Sequence, residues 1–304
     1  MVARTVHLKL IAACTFWAMT PVFGRMLATY QAPYALAFGR FLIATAALWL
    51  VVRAARTSAP VARTGARDWF SFFLLGLTGI FLHNVLTLIA VESVQANRAN
   101  VIFASIPLMV ALIDMLLLRR LPPLLSMLGL AAGILGTAVV VTDGRPSALL
   151  AGAIGLGEWL VLASAASWAI YSVLGRPLLE RYSPLVLTYR ASLCGTCLLL
   201  PFVWLDADAL GALVSDPAAW GMTAFAGCLS SALGFLWFYE GVDQLGAIRS
   251  SAYINLVPIF GVLLAALLVQ QLEGDPQQAQ ATQRHQARDL QQPHHHQRHQ
   301  RAHA

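Results

Sequence analysis

The chain has 304 residues, of which 58% are hydrophobic and 11% are charged, and its formal net charge is +6. A soluble domain carries about 25% charged residues, so this composition excludes an ordinary soluble protein and indicates one whose solvent is largely lipid. Most basic residues lie in short loops between apolar runs, so the positive charge reflects orientation in a membrane and not nucleic-acid binding.

Long apolar runs follow one another along the chain. A helix needs about 20 apolar residues to span the hydrocarbon core, and lipid excludes unpaired backbone, so each run is predicted to be a transmembrane helix. The predicted spans are Leu8–Leu27, Tyr34–Val52, Trp69–Ala90, Asn97–Leu118, Leu121–Thr142, Gly155–Leu174, Pro184–Leu205, Ala218–Glu240 and Ser251–Val269. The chain is therefore predicted to be an all-α integral membrane protein.

The chain contains two copies of one unit. The stretch Ala90–Leu121 recurs without a gap at Gly241–Leu272, and each residue of the second copy is numbered 151 higher than its mate. The same separation relates Trp17 to Trp168. Repeated apolar units are typical of secondary transporters. Because a unit of five spans is odd-numbered, the two copies are expected to insert with opposite orientation, as an inverted repeat.

The repeat predicts a tenth span at a place where the sequence is polar. The mate of Leu121–Thr142 is Leu272–Pro293, which is rich in Gln, His and Arg. We therefore expect a first repeat of five spans at 1–151, a second of four spans at 152–272, and a polar, disordered tail at 273–304. An altered reading frame at the carboxyl end is our explanation of the tail.

Arginine placement predicts the orientation. The loop between the second and third spans is basic, and the loop after the seventh span contains only acids among its charged residues. The residues concerned are Arg53, Arg56, Arg63 and Arg67 in the first loop and Asp206, Asp208 and Asp216 in the second. Since basic loops stay on the cytoplasmic side, the N-terminus is expected to be cytoplasmic.

Several motifs occur in the same order in both copies. They are Trp17, Pro33, Arg40-Phe41 and Pro107 in the first copy, and Trp168, Pro184, Arg190 and the run Ser251–Ala265 in the second. Through these residues the chain resembles the EamA family of the drug/metabolite transporter superfamily. The resemblance implies ten helices in two EamA repeats, a place in the bacterial inner membrane, and export or uptake of small metabolites. The chain departs from the family at Arg119-Arg120 and Gln270-Gln271, where a Gly-Glu pair is common.

We expect a secondary transporter that exports small organic metabolites by alternating access between the repeats. No Walker loop, nucleophile elbow or HExxH motif occurs, so no enzyme activity, cofactor or metal site is predicted. Two alternatives stay open. One is an inactive transporter remnant caused by the altered reading frame. The other is a membrane-embedded lipid-handling enzyme, which would need a polar cluster at one membrane face.

The expected partners are a small-molecule metabolite and membrane lipids. Proton coupling through His83 or Glu240 fits the sequence, as do uniport and exchange. The spacing of Gly129, Gly133 and Gly136 in the fifth span allows close helix contact, either inside the chain or in a homodimer.

Polar, aromatic and proline residues inside the spans are the candidates for substrate binding. A polar group in lipid is costly, which singles out His83 and Asn84 in the third span. Pro107 and Pro258 lack a backbone donor and can break helices near the midplane. The predicted cavity-lining set is Trp17, His83, Asn84, Pro107, Trp168, Tyr171, Asn255 and Pro258. The alternative for each is an ordinary packing role.

For the other charged and aromatic residues of the spans, a structural explanation is sufficient. Asp114 is expected to meet the arginine pair at 119–120 or headgroup water. Arg40 is expected to snorkel toward the interface. Trp237 and Tyr239 are explained by the aromatic belts of the membrane.

Overall fold

The structure is a computed structural model that describes residues 2–55, 64–91, 93–94, 96–118 and 155–273, with isolated positions at 128, 132 and 135. Within these ranges the regular structure is entirely helical, which confirms the predicted all-α fold. Apart from those isolated positions, the predicted fifth span and its glycines lie outside the described residues, as does the tail beyond 273. The division into two repeats and a tail at the predicted boundaries stays a prediction.

The helices are numbered here in chain order. They are α1 (Val2–Leu27), α2 (Pro33–Ala54), α3 (Ala66–Leu75), α4 (His83–Val91), α5 (Ala96–Phe103), α6 (Ile106–Leu118), α7 (Leu156–Leu179), α8 (Pro184–Leu199), α9 (Ala207–Ser215), α10 (Pro217–Phe225), α11 (Gly234–Leu245), α12 (Ala247–Ala252) and α13 (Leu256–Glu273). Residues 1–260 form one compact unit; of the second unit, 261–304, the structure describes the rest of α13.

Six helical segments of the described part are long and apolar enough to cross a membrane. They are Pro33–Ala54, Ala66–Ala90, Leu156–Leu179, Pro184–Ser215, Pro217–Leu245 and Ala247–Leu264. Large apolar side chains such as Leu42, Leu50 and Phe70 are exposed on these helices. Such a surface is stable against lipid tails but not against water, so the protein is a multi-pass membrane protein.

Proline begins several of the helices. Pro33, Pro184 and Pro217 each stand in the first turn of a helix, where the missing N–H would be unpaired anyway. The Ser183 and Asp216 side chains precede two of these prolines and accept backbone N–H groups of the first turn, at 3.4 Å and 2.7 Å respectively. These signals set the helix starts locally.

The same two irregularities occur in both copies. A π-helical segment, Gly76–Leu82, joins α3 to α4, and its counterpart Ala226–Leu233 joins α10 to α11. The chain also leaves the α-helical path shortly before each predicted helix-breaking proline: between α5 and α6 at residues 104–105, and at the 3₁₀ turn Tyr253–Asn255 before α13. Mates therefore share local geometry as well as sequence.

Candidate functional site

The two copies pack on each other through their second and third helices. A Cβ atom on Gly76 would lie 2.6 Å from the backbone nitrogen of Gly195 and 2.8 Å from the carbonyl oxygen of Ala191. A Cβ on Gly227 would lie 2.8 Å from the carbonyl oxygen of Arg40. Gly227 is the mate of Gly76, and Ala191 is the mate of Arg40. The contact is therefore reciprocal, which is the property of a two-fold relation.

We call the whole contact between the two copies the seam. Two residues of the seam meet their own mates. The rings of Trp17 and Trp168 lie edge to face, with centroids 5.4 Å apart. The hydroxyl oxygens of Thr45 and Thr196 lie 3.0 Å apart. Under a two-fold relation a residue contacts its own mate only near the axis, so these pairs locate the axis of the repeat.

Aromatic side chains fill the seam around the tryptophan pair. The rings of His83, Tyr171, Phe235 and Phe238 have centroids 5.0–5.3 Å from that of Trp168. The Tyr239 ring is tilted against that of Tyr171, with centroids 4.8 Å apart, and its hydroxyl donates to the Tyr171 carbonyl oxygen at 3.1 Å. Tyr171, Phe238 and Tyr239 are 0% exposed. The centre of the seam is therefore closed in this conformation, and Tyr239 is a core residue and not the interface residue expected from the sequence.

Polar groups border the aromatic cluster on the side of the first copy. The imidazole Nδ1 of His83 lies 2.9 Å from the Ser164 hydroxyl, which lies 2.7 Å from the hydroxyl of Thr87. Next to His83 in the chain, Asn84 accepts a hydrogen bond of 2.6 Å from Arg40 Nη2. Asn84 also donates to the Ile80 carbonyl oxygen at 2.6 Å. These contacts hold the polar side chains in fixed positions.

This polar border departs from the two-fold relation. The mates of Arg40, His83 and Asn84 are Ala191, Gly234 and Phe235. The second copy thus makes the corresponding helix contacts without a polar side chain. The packing of the two copies therefore does not by itself require these three polar groups.

The structure brings five of the eight predicted site residues together: Trp17, His83, Asn84, Trp168 and Tyr171. Pro107 is next to the break before α6, and the Phe103 ring of α5 lies 6.1 Å from the His83 ring. Asn255 is exposed and lies outside the buried cluster, and Pro258 is half-buried in α13. The assignment of all eight residues to a substrate site stays a prediction.

Sequence reasoning missed Arg40, Ser164 and Phe235. Arg40 was expected to snorkel, but its Nε is buried and its guanidinium contacts Asn84 and the Phe41 ring. A signal was present: Arg40 is seven residues from the start of α2 and Asn84 is seven residues from the end of α4. If the two helices run antiparallel, these positions have equal depth.

Two intramembrane acids have cationic partners that the sequence did not suggest. Asp114 Oδ1 lies 3.7 Å from Nη1 of Arg176 in α7, and positions 119–120, where the sequence predicted its partner, lie outside the described residues. Glu240, a candidate for proton coupling, forms an ion pair with Lys9. Among the described residues, no group of three or more His, Cys, Asp or Glu side chains is placed to hold a metal ion.

Two further contacts, which we call clasps, join the copies at opposite ends of α2. At the end where α2 begins, the Tyr30 hydroxyl donates to Asp216. At the other end, Arg181 donates to both oxygens of Asp68, at 2.6 Å and 3.2 Å. Tyr30 and Arg181 are mates, but Asp216 and Asp68 are not, so the two clasps correspond only in part. The hydrogen bond from Tyr30, followed by that from the Ala218 N–H, lowers the pKa of Asp216 below its ordinary value.

The sequence model of the EamA-like transporter family matches residues 4–142 and again 155–272. A "Probable terminal-alkyne amino-acid exporter" of Streptantibioticus cattleyicolor is 31% identical over 67% of each chain. The "Uncharacterized transporter YyaM" of Bacillus subtilis is 24% identical over 86% of this chain and 85% of its own. A solved crystal structure with 20% identity, covering 87% of this chain and 88% of its own, has the same fold with a TM-score of 0.57.

Proposed function

The chain belongs to the EamA-like transporter family, and on that premise we propose that it exports small organic metabolites across the bacterial inner membrane as a secondary transporter. The substrate binds at the seam, near the midplane, beside Trp17, Trp168, Tyr171 and the polar pair His83 and Asn84. The protein is not an enzyme: its residues recognise and release a solute without changing it.

The reciprocal packing of the two copies is the observation that carries this proposal. A contact built from glycine against backbone on both sides, with mates meeting at the axis, supports motion of one copy against the other as a rigid body. The closed aromatic centre then corresponds to an occluded state. Opening toward one side or the other exposes the same ring surface to substrate.

The clasps supply the two gates that alternating access needs. With the N-terminus in the cytoplasm, as the arginine-rich loops favour, the Tyr30–Asp216 clasp faces outward and the Asp68–Arg181 clasp faces the cytoplasm. Because they lie at opposite ends of α2, one clasp can open while the other stays closed. Export requires the inner clasp to open first and the outer clasp to open after substrate has bound.

Purified protein in proteoliposomes tests the function. Proteoliposomes loaded with a panel of radiolabelled amphipathic and aromatic metabolites are expected to release at least one of them faster than equally loaded vesicles without protein. His83→Ala, which removes a side chain that contacts Trp168, is expected to lower that release at least about tenfold, the effect of losing one well-placed hydrogen-bonding group.

Trp204→Ala is the matched control, because Trp204 is 81% exposed on the outside of the fold and should leave the release rate unchanged. If every solute leaves the proteoliposomes no faster than it leaves protein-free vesicles, the proposed function is wrong.

A further inference from the structure

Arg40 is a cation inside a membrane-spanning helix, and it has no acidic partner among the residues that the structure describes. Arg40 stands seven residues after Pro33 in α2, which is about 10 Å along the helix axis. Its Nη2 donates to the Asn84 amide oxygen, and its guanidinium carbon lies 4.8 Å from the centre of the Phe41 ring. Its Nε is buried and has no hydrogen-bond partner. An amide and a ring face orient the guanidinium but do not neutralise its charge.

The buried and half-buried acids in the described part of the chain have other partners. Asp68 pairs with Arg181, Asp114 with Arg176, Glu158 with Arg98, Glu240 with Lys9, and Asp206 accepts the backbone N–H of Ala35. A charge at the centre of a spanning helix costs about 2.5–3.5 kcal/mol by insertion scales. Retaining Arg40 at that cost is understandable if a negative charge arrives from outside the chain.

A second buried donor borders the same cluster. Trp168 Nε1 has no acceptor within the described part of the chain, whereas its mate Trp17 donates to the Ser230 carbonyl oxygen at 2.9 Å. The Phe235 ring contacts a ring beside each donor: its centroid is 5.7 Å from that of Phe41, which packs on Arg40, and 5.1 Å from that of Trp168. An occupant that reaches this place meets N–H donors and ring faces.

Helix packing gives no reason for the cation. At the equivalent position of the second copy stands Ala191, whose carbonyl oxygen meets Gly76 as the carbonyl oxygen of Arg40 meets Gly227. The backbone contact is therefore made equally well with a methyl side chain. The guanidinium is additional to the packing.

We propose that Arg40, oriented by Asn84, binds the single carboxylate of the exported metabolite, whose apolar or aromatic body packs on the rings around Trp168. This inference rests on the proposed transport function and specifies its substrate class. A guanidinium suits a carboxylate because its planar N–H groups match the two oxygens. One unpaired cation balances one negative charge, so the site selects a monocarboxylate over a phosphate dianion.

Binding to the purified protein in detergent micelles tests the proposal without requiring transport. Phenylacetate, phenylacetamide and phenethylamine share one ring and differ in the charged group. Phenylacetate is expected to bind about 10- to 100-fold more tightly than the amide, the range for a charge-assisted hydrogen bond, and the amine is expected to bind no better than the amide. Equal affinity for all three compounds would overturn the inference.

Two substitutions locate the binding. Arg40→Gln is expected to abolish the preference for phenylacetate over the amide. Asn84→Asp places a carboxylate beside Arg40, so it is expected to raise the thermal midpoint and yet weaken phenylacetate binding about tenfold or more. Arg53→Gln, which changes a cation stacked on Trp49 at the far end of the same helix, is the control and should leave binding unchanged.

The outcomes separate this inference from the transport function. If Asn84→Asp stabilises the protein but leaves the phenylacetate preference intact, Arg40 is structural and the inference fails, whether or not solute is exported. If phenylacetate binds through Arg40 but no solute leaves proteoliposomes, the site stands and the transport function fails.

Discussion

Single glycines decide how closely the two copies approach. At Gly76 an added methyl group would meet backbone atoms at less than 3 Å, and backbone of a packed helix cannot rotate aside as a flexible side chain can. An added methyl group at Gly227 would lie 2.8 Å from the carbonyl oxygen of Arg40 and 3.0 Å from the Ile43 side chain. The glycine pair therefore fixes the distance between helices at the seam, and with it the position of every ring around the axis.

Gly76→Ala is predicted to lower the free energy of unfolding by about 1–3 kcal/mol, because overpacking forces the helices apart. Chemical denaturation in detergent micelles measures the change. Gly211→Ala is the control: no atom lies within 4 Å of its added Cβ, and alanine is the better helix former, so stability should rise by up to about 1 kcal/mol. Shifts of the same sign for both variants would contradict this account of the seam.

Whole elements are interrupted at matching places in the two copies. The π-helical segments Gly76–Leu82 and Ala226–Leu233 lie on the seam, and π-helical turns are frequent at functional sites. The break between α5 and α6 has a separate cause, since Pro107 cannot donate to the carbonyl of residue 103. The Ser105 hydroxyl donates to the Ile102 carbonyl oxygen at 2.5 Å and closes the turn. These breaks divide long helices into parts that can tilt separately.

Pro107→Ala supplies an N–H group at the second residue of α6, from which it can donate across the break to the carbonyl oxygen of residue 103. It is predicted to raise the thermal midpoint and to lower the transport rate severalfold, because a continuous helix tilts less readily at residues 104–105. Release from proteoliposomes and thermal unfolding give the two quantities. Pro184→Ala changes a first-turn proline that needs no donor, so it should affect both little. A lower midpoint with unchanged transport in Pro107→Ala would show that the break is not a hinge.

At the scale of the molecule, the clasps couple the two ends of the seam. Asp216 has a lowered pKa because Tyr30 and the Ala218 N–H favour its carboxylate. A carboxylate with a lowered pKa stabilises the folded protein at pH values above the ordinary Asp pKa of about 4. This contribution is lost only as the pH falls through the lowered pKa. The clasp that includes Tyr30 is therefore expected to hold unchanged between pH 5 and 8.

A cysteine introduced at a buried position near this clasp can measure how often the clasp opens. Ala35→Cys, in a chain whose four native cysteines are replaced by serine, is predicted to react slowly with a membrane-impermeant maleimide, since Ala35 is buried. Adding Asp216→Asn should speed labelling about tenfold, by the same factor at every pH from 5 to 8. Adding Arg181→Gln instead should slow labelling, because a weakened opposite clasp favours the conformation closed on this side. Faster labelling in both variants would mean that the two ends open independently.

The sequence by itself determined the fold class, the family and most of the central residues. Apolar runs of spanning length leave only helices in lipid, and the mates at a separation of 151 identify two copies of one unit. Trp17, Trp168 and His83 follow from polarity, depth and the repeat. These properties are local or periodic, so a single sequence is enough to identify them.

Only the tertiary structure decided which side chains share a space. The partners of Arg40 and Asp114 in the described part of the chain come from α4 and α7, far away in the sequence. Tyr239 is buried because the rings of several helices converge on it. Neutralisation and burial depend on three-dimensional neighbours, which helix periodicity does not specify. For that reason the unpaired charge of Arg40 became visible only in the folded chain.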